Sequence, residues 1–162
     1  MNRLDFIKAK ILNAEQLQKK LALWKFKNEK VVFTNGCFDL LHPGHIKILT
    51  EASELGDRLI VGLNADSSVK KLKGNHRPIM NEESRALLLA SLQVVDAVVL
   101  FAEATPLHLI EKITPQVLVK GGDYVPENVV GAAWVLKHGR EVKTIQLLEG
   151  FSTTNIESRM KK

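Results

Sequence analysis

Residues 31–45 read VVFTNGCFDLLHPGH, and the fold is decided here. Val31, Val32 and Phe33 form a short apolar run of the kind that makes a buried strand, and Thr34-Asn35-Gly36 leads it into a tight turn. His42-Pro43-Gly44-His45 follows, with Pro43 where a helix begins. Proline is favoured at the first helical position because the N–H it lacks would have had no intrahelical acceptor. The spacing predicts a strand-to-helix crossover with two imidazoles beside the positive end of a helix dipole. Unpaired backbone N–H groups and that dipole suit phosphate.

Outward from this crossover, apolar strand-like runs alternate with helical patterns. Candidate strands are 30–34, 58–63, 94–101, 116–120 and 141–147. Candidate helices are 43–55, 65–72, 82–92, 106–113, 127–137 and 154–160. Thr105-Pro106 reads as a helix start, His138-Gly139 as a helix stop, and Thr154 with Glu157 has capping-box spacing. Alternation of this kind predicts an α/β fold: a Rossmann-like, doubly wound sheet of about five parallel strands with helices on both faces. Ligands in such folds gather at the carboxyl ends of the strands, where strand order reverses. The polar motifs fall in the segments that follow strands: 35–45, 64–77, 121–124 and 149–154. Ahead of the sheet, Ile7, Ile11, Leu17, Leu21 and Trp24 predict an amphipathic helical region broken near Asn13. Residues 1–28 are expected to be a helical extension packed on the core, and 29–162 the main body of a single domain.

The composition is that of an ordinary soluble chain, 45% hydrophobic and 25% charged. Its 23 basic and 18 acidic residues leave a net charge of +5, which suits nucleic acid, nucleotides or sugar phosphates equally. The single cysteine, Cys37, allows no internal disulfide and fits a reducing compartment. The N-terminal stretch is charged throughout, so neither a signal peptide nor a membrane span is expected, and a cytoplasmic location is.

Neither a P-loop nor a G-x-G-x-x-G fingerprint is present, which removes the best evidence for Walker ATPases and dinucleotide dehydrogenases. His42 and His45 are open to three readings: phosphate binding, metal ligation or a structural role. No further cluster of ligand residues accompanies them, so phosphate is favoured and no metal site is assigned. Gly44 between them permits close backbone approach to a ligand. In the basic stretch Lys70-Lys71-Leu72-Lys73-Gly74-Asn75-His76-Arg77, a solvated loop competes with a phosphate contact. Asp66 caps a helix or meets substrate or a lysine; Arg85 makes a surface ion pair or a phosphate contact. Lys120-Gly121-Gly122-Asp123-Tyr124 is turn chemistry or a ligand contact, and Ser152-Thr153-Thr154 a helix cap, a phosphate site or both. Cys37 reads as a small buried residue, not a nucleophile, and Asp39 as a turn holder or an aid to a phosphate-binding residue.

NGCFDLLHPGH resembles the H-x-G-H signature of the nucleotidyltransferase superfamily that includes cytidylyltransferases and pantetheine-phosphate adenylyltransferase. GFSTTNI looks like that superfamily's second signature, in which hydroxyls at a helix start meet the triphosphate. With LKGNHRPI and VKGGDY between them, in this order, the chain from about residue 10 onward resembles the D-glycero-β-D-manno-heptose 1-phosphate adenylyltransferases. Residues 29–162 would then be the nucleotidyltransferase domain. It departs from related cytidylyltransferases at Leu147-Leu148-Glu149-Gly150, where these often carry an arginine. An arginine phosphate clamp is not expected there.

The resemblance implies transfer of AMP from ATP to a heptose 1-phosphate by direct in-line attack. His42, His45 and Lys73 would be catalytic, with Lys73 preferred over Lys70. Asn35, Gly36, Cys37, Phe38, Asp39, Lys120, Gly122, Asp123, Ser152, Thr153 and Thr154, with both histidines, would bind the nucleotide. Asp66, Lys70, Lys73 and Arg85 would bind the acceptor. Mg²⁺ would come bound through the nucleotide phosphates. A homodimer or larger homo-oligomer is implied, with no nucleic-acid or membrane partner. A separate protein would have to supply the kinase activity, since 162 residues leave no room for one. A glycerol-3-phosphate-type cytidylyltransferase and a non-catalytic nucleotide- or RNA-binding module remain as alternatives.

Overall fold

The computed structural model describes residues 2–151 together with Thr153 and Ile156. Ser152, Thr154 and most of the helix expected at 154–160 lie outside the described residues. Strands β1 (Val31–Gly36), β2 (Arg58–Asn64), β3 (Ala97–Phe101), β4 (Val117–Gly121) and β5 (Glu141–Ile145) form one five-stranded sheet in the order β3-β2-β1-β4-β5. All four pairings are parallel. The chain runs outward from β1 through β2 to β3, then crosses back to lay β4 on the other side of β1. The switch point therefore lies between β1 and β4.

Residues along β1 alternate between two core layers because successive side chains of a strand point to opposite faces. Val31 and Phe33 pack with α2 (Ala14–Phe26), α6 (Leu107–Ile113) and α7 (Ala132–Lys137) through Leu17, Trp24, Ile110 and Val135. Val32 packs with α3 (Pro43–Ser53) and α5 (Glu82–Ser91) through Leu49, Ala52, Leu89 and Ala90. With apolar neighbours on both faces, the central strands become the near-continuous apolar runs seen in the sequence.

The N-terminal break falls where expected. Helix α1 (Arg3–Lys8) ends, and Asn13 caps α2 in a reciprocal box with Gln16. Between them the backbone pairs with the outer edge of β3, Val98 N–H to Lys10 O at 2.8 Å and Leu12 N–H to Val98 O at 2.9 Å. This covers a strand edge that would otherwise be left unpaired.

Three elements differ from the sequence reading. The helix expected at 127–137 is split into a 3₁₀ turn (Pro126–Asn128) and α7, divided by Gly131 at φ +88°. A Cβ there would lie 2.5 Å from Ile110 Cδ1, so close packing on α6 sets the break. β3 begins at Ala97, not at 94. The Asp96 carboxylate just before it accepts from the Leu59 N–H and the Arg58 guanidinium, both at 2.9 Å. β5 stops at Ile145, and Leu147 is exposed in the loop beyond.

Candidate active site

The register of β1 and β4 sets the floor of the site. Thr34 lies opposite Val119, so alternation sends the next residues, Asn35 and Lys120, to the α6 side and Gly36 and Gly121 to the α3 side. A Cβ on Gly121 would sit 2.4 Å from Ile48 Cδ1, and one on Gly36 would meet the Phe38 ring at 3.0 Å. The two glycines let α3 and the β1–α3 loop close down on bare backbone. Phe38 takes a left-handed conformation, φ +46°, and its ring stands 5.1 Å from that of His45. Non-glycine residues adopt that conformation rarely, and functional sites hold a disproportionate share of them.

His42 occupies the N-cap of α3 and His45 its first turn, with their rings stacked at 3.8 Å between centroids. Gly44 makes this possible: a Cβ there would be 2.9 Å from the His42 ring. Its smallness serves the imidazole stack first. Both Nδ1 atoms are buried with no hydrogen-bond partner, a state that costs about 1–3 kcal/mol per group. Burial pushes His45 down to about 4, reinforced by the neighbouring His42 and Lys73 charges and opposed by a hydrogen bond to the Leu40 backbone. Burial also lowers His42. Both rings are therefore neutral near pH 7 until an anion arrives to favour the charged form.

Around them opens a cleft of about 380 Å³. Asn35, Gly36, Cys37, Phe38 and Asp39 line it from the β1 end, Lys120 and Gly121 from the β4 end, and Lys73 from the last turn of α4 (Asp66–Lys73). Thr153 closes the far side with Leu147, Leu148 and Phe151. Leu147 and Leu148 had no site signal of their own in the sequence, and Phe151 had only its place in GFSTTNI. Lys47 donates to Gln146 O at 2.9 Å and ties this last segment to α3. Of the three candidate lysines of α4, only Lys73 lines the cleft; Lys70 and Lys71 are exposed outside it. Gly122 and Asp123 are not among the lining residues. Gly122 turns the chain at φ +128° and donates to Ile145 O at 2.9 Å, and Asp123 is exposed beyond it.

Two side chains expected at the acceptor site are engaged within the fold. Arg85 is fully buried and donates Nε to Met80 O, one terminal nitrogen to Cys37 O and Asn64 O, and the other to Asp66 Oδ1, at 2.6–2.9 Å. It forms no surface pair; it ties the ends of β1 and β2 together. Asp66 makes no side-chain cap, because its carboxylate is turned to Arg85 instead. Asp39 also acts within the fold. Its buried carboxylate accepts from Arg77 at 2.7 Å and from the Ile79 and Met80 N–H groups. Burial opposes its ionisation, but Arg77 and these N–H groups hold the carboxyl below its usual range.

Two neutral imidazoles, a lysine and a helix start thus converge at a topological switch point, an arrangement suited to a polyphosphate. Residues 33–159 match the model of the cytidylyltransferase-like family. The chain belongs to that family.

Among other members of the cytidylyltransferase-like family, the bifunctional protein HldE of Nitrobacter winogradskyi is 55% identical over 147 residues, 91% of this chain. That of Caulobacter vibrioides is 55% identical over 151 residues, 93% of the chain. The chain spans only about 30% of the length of these curated relatives. Among solved structures, the lipopolysaccharide core biosynthesis protein of Thermoplasma volcanium is 31% identical, with a TM-score of 0.60. The match covers 74% of this chain and 97% of that one. No helix among the described residues is long and apolar enough to cross a membrane.

Proposed function

We propose that this chain transfers AMP from ATP to D-glycero-β-D-manno-heptose 1-phosphate, giving ADP-heptose and pyrophosphate. The reading rests on one observation: the stacked imidazoles of His42 and His45, each with a buried Nδ1 that no hydrogen bond satisfies, lining one cleft with Lys73 at the β1–β4 switch. The HldE relatives and the lipopolysaccharide core biosynthesis protein support the choice of sugar.

An acceptor phosphate oxygen attacks the α-phosphorus as the bond to the β-phosphate breaks, and pyrophosphate leaves on the opposite side. The phosphate nucleophile is already ionised at neutral pH, so no side chain need remove a proton. Catalysis consists of positioning and of neutralising charge as it builds. His42 and His45 donate to phosphate oxygens, and the approaching anion raises their basicity. Lys73 offsets charge on the transferring group. Thr153, with Ser152, Thr154 and the backbone there, holds the outer phosphates. The nucleotide itself lies over Asn35, Gly36, Cys37 and Phe38, and its α-phosphate reaches toward Lys120.

Among the described residues no three His, Cys, Asp or Glu side chains group to hold a cation. Asp39, the carboxylate of the cleft, is occupied by Arg77. Mg²⁺ would arrive on the nucleotide's own phosphates. The reading also places the protein in the cytoplasm, where ATP is supplied, and as a homodimer or larger homo-oligomer.

Pyrophosphate release, measured with ATP and CTP crossed against heptose 1-phosphates and glycerol 3-phosphate, tests the reading. Release requiring ATP and a heptose 1-phosphate together is expected. Release with CTP and glycerol 3-phosphate instead would replace it with the cytidylyltransferase reading, and none with any pair would remove the enzyme.

A further inference from the structure

A second pocket, about 230 Å³, opens on the opposite side of the sheet from the histidines. Val129, in its wall, belongs to the core layer of α6 and α7, whereas Ile48 and Phe38 in the main cleft belong to that of α3 and α5. Asn35 and Lys120 line both cavities. The strand alternation argued above turns these two side chains toward the second pocket, and they stand at the crossing between the two.

Lys120 is poorly provided for where it stands. Its Nζ donates to Asn35 O at a long 3.4 Å, and no carboxylate pairs with it among the described residues. Burial lowers its pKa, with Cys37 acting the other way. A half-buried ammonium without a counter-charge suits an incoming anion. Beyond it the pocket is amphipathic, with the Asn128 amide and Tyr124 phenol set against Val129 and Val130. Tyr124 is positioned deliberately: a Cβ on Gly122 would lie 2.7 Å from its ring, so only glycine lets the ring fold back there. Hydroxyl-bonding groups beside apolar surface match a pyranose, which has polar edges and apolar faces.

In-line displacement fixes which substrate goes where. The attacking and leaving oxygens lie on opposite sides of the phosphorus. The pyrophosphate side belongs to the histidines, Lys73 and Thr153 on the α3 face, so the nucleophile enters from the α6 face. We propose that the second pocket holds the sugar of the acceptor, with Lys120 on its phosphate, while the nucleotide occupies the cleft on the α3 face. This rests on the sugar-phosphate transferase reading and adds to it the residues that choose the sugar: Tyr124, Asn128 and Val130.

Val130→Trp fills the pocket from a half-exposed position, and Asn128→Leu removes its amide without adding bulk. The readouts are the KM for heptose 1-phosphate and, by calorimetry, the affinity for ATP alone. Each variant is expected to raise the acceptor KM by about tenfold or more and to leave ATP affinity and melting temperature unchanged. Should Val130→Trp melt early, Asn128→Leu carries the comparison. An unchanged acceptor KM in a folded variant overturns the assignment. So does a matching loss of ATP affinity, which would put the nucleotide in this pocket. A wild-type protein that binds ATP but releases no pyrophosphate with any sugar 1-phosphate defeats the transferase reading itself, and the pocket assignment falls with it.

Discussion

At residue scale, the depressed basicity of His45 has a direct consequence for ligand binding. Its pKa is about 4 in the folded protein against an ordinary 6.5, so between these values the unfolded chain binds a proton that the native chain does not. Stability therefore falls as pH drops from 6.5 toward 4. A bound polyphosphate reverses the preference, because an anion beside the ring favours imidazolium. Binding of ATP at about pH 6 is thus expected to take up protons. Calorimetry in two buffers of different ionisation heat measures this directly, and no uptake would mean that the phosphates do not meet His45. His42→Ala and His45→Ala are expected to cut turnover by about 100- to 1,000-fold with the fold intact. Near-normal rates in both would end the mechanism. Arg85 predicts the opposite pattern. Arg85→Met strands three carbonyls and the Asp66 carboxylate, at a cost of about 3–5 kcal/mol. Its signature is a large loss of thermal stability, not a selective loss of turnover.

Between elements, contact is set by absent side chains as much as by present ones. At Gly121, adding one methyl group would push on Ile48 and lift α3 from the sheet. Gly121→Ala is expected to cost about 1–3 kcal/mol through overpacking. Because α3 carries both histidines, turnover should fall with it, whereas a surface Gly139→Ala, with nothing within 4 Å, should leave turnover unchanged. These two glycines also mark what a sequence can reveal. The strands, the α3 start at Pro43 and the helix break near Asn13 were legible because each depends on residues close in the chain. Gly121 read as turn chemistry or a ligand contact, and its packing role went unseen, since its reason lies 73 positions away in Ile48. Arg85 was misread for the same cause: four acceptors from three separate segments bury it, and no local pattern announces them. The site itself was legible where it follows strand ends. Its apolar wall at Leu147, Leu148 and Phe151 was not, because apolar residues in a loop carry no periodicity.

For the molecule as a whole, the question is whether residues 1–28 are an appendage or part of the core. Leu12, Leu17 and Trp24 are buried in the same layer as Phe33, Ile110 and Leu118. Lys10 donates to Leu92 O and Val95 O, at 3.2 and 2.7 Å, and the Arg58 guanidinium lies 5.8 Å from the centre of the Trp24 ring. Removing the segment would bare one face of the sheet and the outer edge of β3, and long unpaired edges with apolar neighbours aggregate. A fragment beginning at residue 29 is therefore expected to be insoluble or to lack a cooperative melt. Trp24→Ala in the full chain gives the milder version, destabilising by about 3–5 kcal/mol while keeping nucleotide binding once folded. If the fragment instead melts cooperatively at the temperature of the full chain, the segment is an appendage and β3 needs no cover. The site lies at the far side of β1, so its chemistry depends on this segment only through the stability of the sheet that carries it.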